Sequence, residues 1–86
     1  MKTTFVFQAD NSKFGKELDR VMRHYGITTT DMVSGAQMKR ANFCAVWNGK
    51  GDFRLSVYVR IVAALREFIP EEEYEGVKLK LALAAF

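Results

Sequence analysis

Among its 86 residues the chain has one cysteine, one histidine and one proline. One cysteine closes no internal disulfide, and one cysteine with one histidine cannot surround a zinc ion, so neither staple is expected to hold the fold. Long apolar runs are absent too: nothing approaches the roughly 18 consecutive apolar residues that span a bilayer. The opening MKTTFVFQAD is interrupted by Gln8 and Asp10 well short of a signal peptide's apolar region. A cytoplasmic protein with no membrane contact is expected. Enzyme machinery is also missing. No nucleophile has a base near it in sequence, and no pair of carboxylates suggests a pocket. The run Asn48-Gly49-Lys50-Gly51 follows a helix and lacks a serine or threonine after its lysine, so it is no phosphate-binding loop. No catalysis and no cofactor are expected.

What is present describes one folded domain. Eighty-six residues suffice for a single core but not for a cleft between two, and a composition of 49% hydrophobic residues without low-complexity tracts argues that the chain folds. The net charge of +3 is modest, yet its distribution is uneven. Between residues 13 and 66 there are ten basic and four acidic residues; between 67 and 75 there are five acidic residues and no basic one. A basic middle suggests a polyanion partner, with the acidic PEEEYEG segment turned away from it.

Periodicity divides the chain into short elements. KTTFVFQ, with Phe5 and Phe7 on one face, reads as a strand. Asp10, Asn11 and Ser12 offer caps for a first helix over residues 13–25, whose inward positions are Phe14, Leu18, Val21 and Tyr25 and which Gly26 closes. Thr28 with Asp31 forms an approximate capping box for a short second helix, with Met32, Val33 and Ala36 inward. A third helix over residues 38–48 buries Phe43, Val46 and Trp47. Leu55, Val59, Val62, Leu65 and Ile69 then repeat at spacings of four and three as a fourth helix, which Pro70 stops. Finally Val77, Leu79, Leu81 and Leu83 alternate with Lys78, Lys80, Ala82 and Ala84, which reads as a strand over residues 76–86. The fold expected is mostly α, with four helices between short N-terminal and C-terminal β-strands. The edge carrying Val77, Leu79, Leu81 and Leu83 is the expected dimerisation surface, because unpaired strands seek partners.

Residues 27 to 65 resemble, without a gap, the helix-turn-helix of the Cro and CI-type phage regulators, the XRE-like family. Ile27 and Thr28 stand at the opening of the second helix, Met32, Ala36, Met38, Phe43 and Val46 at the buried positions, and Asn48-Gly49-Lys50 where the third helix ends. There are departures: Thr29 replaces a usual glutamine, Val33 a small alanine, Gln37 the glycine of the turn, and Lys39 a serine or threonine. The resemblance implies a dimeric repressor that reads a double-stranded DNA operator with its third helix. Arg40 would pair with a base, while Ala41, Cys44 and Ala45 allow close approach and touch thymine methyls. Thr28, Thr29, Lys39, Asn48, Lys50 and Arg54 would hold phosphates. A second reading is that the fold is reused to bind and inhibit a host protein, motivated by the degenerate second helix and the few polar side chains on the third.

Overall fold

The computed structural model describes residues 11–49 and 53–85 and contains five helices: α1 (Asn11–Tyr25), α2 (Thr29–Ala36), α3 (Arg40–Trp47), α4 (Leu55–Leu65) and α5 (Glu71–Ala85). α1 presents Phe14, Leu18, Val21 and Met22 to the core at the three- and four-residue spacing of a helical stripe. Gly26 ends it with φ +67°, and the Ile27 amide closes back onto the Met22 carbonyl at 2.9 Å. α2 opens with a full capping box. The Asp31 amide donates to Thr28 Oγ1 at 3.1 Å, and the Thr28 amide donates to Asp31 Oδ2 at 3.0 Å. Gln37 closes α2 in the left-handed conformation, φ 54° and ψ 49°, where glycine is at ease and glutamine is not. Its amide donates to the Ser34 carbonyl and that of Met38 to the Val33 carbonyl, so the corner is satisfied despite its residue.

The helices pack as two linked sets: α1 lies against α3 and α5, and α2 lies against α3 and α4. Phe14, Leu18, Met32, Phe43, Ile61, Leu65 and Leu81 are fully enclosed, so every helix contributes to one core. Two glycines inside helices permit close approaches between helices. A Cβ at Gly15 would overlap the Trp47 carbonyl oxygen, so α1 seats its backbone directly on the end of α3. A Cβ at Gly35 would fall 3.1 Å from that of Ala64, which brings α2 close to α4.

Two expectations are corrected. α4 ends at Leu65, not at Pro70. The Glu67 and Phe68 amides bond three residues back, to Ala64 and Leu65, and this tightened turn carries Ile69 into the core. The C-terminal strand over residues 76–86 is not formed: residues 71–85 are helical, and no strand occurs among the described residues. Pro70 starts this helix instead of only stopping the last one. Its carbonyl accepts from the Glu73 and Tyr74 amides at 2.9 and 3.0 Å, and Glu71, Glu72 and Glu73 meet the positive end of the helix dipole. Buried Tyr74 then anchors α5 to α4 by donating its hydroxyl proton to the Val62 carbonyl at 2.9 Å. The N-terminal strand expected in KTTFVFQ lies outside the described residues.

Candidate nucleic-acid interface

α3 is fastened from below by Phe43 and Val46, with Trp47 half-buried beside them. The opposite side is a narrow ridge. Arg40, Ala41 and Asn48 are exposed along it, and Cys44 and Ala45 are half-buried between them. These side chains are small except for the arginine, so the helix backbone is accessible to anything wide enough to accept a single helix. Arg40 is oriented from α2: its Nη2 donates to Thr30 Oγ1 at 2.9 Å. That bond uses one of the five guanidinium donors and ties the start of α3 to the first turn of α2. The Thr30 hydroxyl is not among the groups expected from the sequence, because its role depends on the angle between two helices and not on spacing along either.

The other expected residues are partly gathered and partly redirected. Lys39, Asn48 and Arg54 are exposed around α3, whereas Thr29 is half-buried. Thr28 is exposed, but both its hydroxyl and its amide are engaged in the capping box. Lys50 lies outside the described residues. The dimerisation set does not share one face. Leu81 is fully buried and Val77 half-buried, while Leu79 and Leu83 are 61% and 72% exposed on the outside of α5. Leu55 and Val59 of α4 are exposed as well, at 46% and 53%. Tyr58, Leu79 and Ala82 line a shallow cavity between these two helices.

A groove runs along each side of the α3 ridge. The one toward α4, about 540 Å³, is lined by Gln37, Lys39, Asn42, Arg54, Ser56 and Arg60 among others, and among the described residues its walls hold no carboxylate. The one toward α1, about 500 Å³, includes Lys16, Asp19, Arg23 and Asn48, and there Arg23 Nε is held 2.9 Å from Asp19 Oδ2. Gln37, Asn42 and Arg60 on one side, and Lys16 on the other, extend the site beyond the expected residues. Asn42 was visible in the sequence as a polar residue on α3 but falls on its flank. Arg60 sits in a helix whose sequence advertises only its apolar stripe.

The acidic start of α5 is held away from the end of α3. The Tyr25 hydroxyl donates to Glu73 Oε1 at 2.6 Å at the C-terminal end of α1, whereas α3 meets α1 at Gly15. Ten residues of helix, roughly 15 Å, separate the two points. Comparison with known proteins leaves the site to be read from its own residues: no protein-family model matches the chain, and neither a curated protein nor a solved structure matches it.

Proposed function

We propose that this protein is a sequence-specific double-stranded DNA-binding regulator, a small dimeric repressor of the Cro/CI-like kind that sets α3 in the major groove. The observation that carries the reading is the α3 ridge: a helix fastened by Phe43 and Val46, small along its outer side, with Arg40 at its N-terminal end oriented by Thr30. A major groove about 12 Å wide accepts one such helix, and a guanidinium near its N-terminus reaches the guanine O6 and N7 acceptors as a bidentate pair. Ala41, Cys44 and Ala45 contact thymine methyls, and Lys39, Asn48, Arg54 and Lys50 set the register on phosphates. Two copies present their α3 helices about 34 Å apart to a near-palindromic operator. The apolar side chains that serve self-association are Leu79 and Leu83 of α5 with Leu55 and Val59 of α4.

Selection of duplexes from a random library, run in parallel with Arg40→Ala, tests this. The wild type is expected to enrich a short palindrome, and the variant to lose preference at one base position per half-site at a cost of about 1–3 kcal/mol. Absence of any enriched sequence overturns the proposal. The same exposed apolar side chains favour a second reading, a helical scaffold that binds and inhibits a host protein. Under that reading association is insensitive to salt and to loss of Lys39 or Arg40, and is abolished by Leu79→Asp.

A further inference from the structure

The two grooves beside α3 have similar size and differ in charge, and this difference orients the ridge on its ligand. In the groove toward α1, the wall holds the cations Lys16 and Arg23 together with Asp19, whose carboxylate pairs with Arg23. In the groove toward α4 the charged wall residues among those described are Lys39, Arg54 and Arg60, and all three are cations. Among the described residues neither Lys39 nor Arg60 makes an ion pair. Gln37, Asn42 and Ser56 add amide and hydroxyl donors to the same walls. The groove also lies between the starts of α3 and α4. Neither Lys39 nor Arg54, the capping residues of those helices, makes a side-chain cap hydrogen bond. Cationic side chains, neutral donors and the positive ends of two helix dipoles therefore converge on one concave surface.

Resting on the DNA-binding reading, we propose that the α3/α4 groove is the seat of the phosphodiester backbone on one side of the major groove, and that Arg60 is a phosphate-binding residue in it. The guanidinium donates to phosphate oxygens, Lys39 faces it across the groove as a point charge, and Asn42 supplies a neutral donor from the flank of α3. The α1-side groove, where Asp19 offsets one of the two cations Lys16 and Arg23, contributes less. The protein thus grips one strand with charge while Arg40 reads base edges next to it.

Titration of a fluorescent duplex of scrambled sequence, repeated from about 50 to 200 mM salt, separates this from base reading. Arg60→Gln is expected to weaken binding about tenfold at the lower salt and to reduce the slope of log K against log salt by about one. Arg60→Lys restores the slope, and Arg23→Gln changes affinity less than about twofold. Circular dichroism melts show whether each variant is folded, and the exposed position of Arg60 predicts unchanged melts. If Arg60→Gln lowers the slope while library selection yields no consensus, the groove stands as a polyanion site and specific readout falls. If the slope is unchanged while a palindrome is selected, the groove assignment is overturned and the regulator reading stands. Absence of duplex binding by the wild type overturns both.

Discussion

At the scale of single residues, the hydrogen bond from Tyr25 to Glu73 links the last turn of α1 to the first turn of α5. The bond to Glu73, then burial, then the carboxylate's charge push the Tyr25 phenol above its usual value of 10.0. A folded-state value above the unfolded one means that the stabilisation is complete below about pH 10 and is lost as pH rises through the folded value. Lys78, raised by its hydrogen bond to Glu75, has the same sign. Tyr25→Phe is therefore expected to flatten the loss of stability between about pH 9 and 11 in urea titrations. Parallel curves for the two proteins would show that the link contributes nothing. Gln37 is the other residue with a conformational signature. Its left-handed φ of 54° is tolerated because both amides of the corner find carbonyls.

At the scale of helices, Gly15 and Gly76 make a matched pair. Both sit in helix interiors, where alanine is intrinsically better by up to about 1 kcal/mol. At Gly76 a Cβ meets nothing within 4 Å, so Gly76→Ala should raise the melting temperature by a few degrees. At Gly15 the Cβ collides with the Trp47 carbonyl, so Gly15→Ala should lower stability by about 1–3 kcal/mol and loosen α3. A rise in melting temperature for Gly15→Ala would mean that α1 does not seat on α3. The same scale shows what the sequence made legible. The first three helices follow from capping residues and three-to-four spacing, and the Thr28–Asp31 box and the Gly26 stop are local chemistry that tertiary packing leaves intact. The strand expected over residues 76–86 rests on the alternation of its apolar residues. The composition of α5 points the other way, since Glu, Lys, Leu and Ala are good helix formers and Val77 is its only β-branched residue. What decides between the two is Tyr74, Leu81 and Ala85 docking at helical spacing, which an alternation count does not register. Of the site, the α3 ridge was readable, whereas Thr30 and Arg60 required knowing which helices are neighbours.

At the scale of the whole molecule, α5 closes the core on one side and offers an uncovered apolar surface on the other. Leu81→Ala should cost about 2–5 kcal/mol, as expected for a fully buried leucine. Leu83→Ala should leave unfolding of the monomer within about 0.5 kcal/mol of wild type but shift sedimentation toward the monomer. Equal sedimentation of both proteins would remove Leu83 from the self-association surface. VKLKLALA fits two periodicities at once. Period two and period four coincide at Val77 and Leu81, so the segment that completes the core as a helix is also patterned to pair as a strand. Docking against α1 holds the segment as a helix, in which Leu81 is buried, Val77 is half-buried, and Leu79 and Leu83 lie one turn apart on the outer face. If it is stripped away, all four apolar side chains line up on one edge, with Lys78 and Lys80 left as the gatekeepers against aggregation.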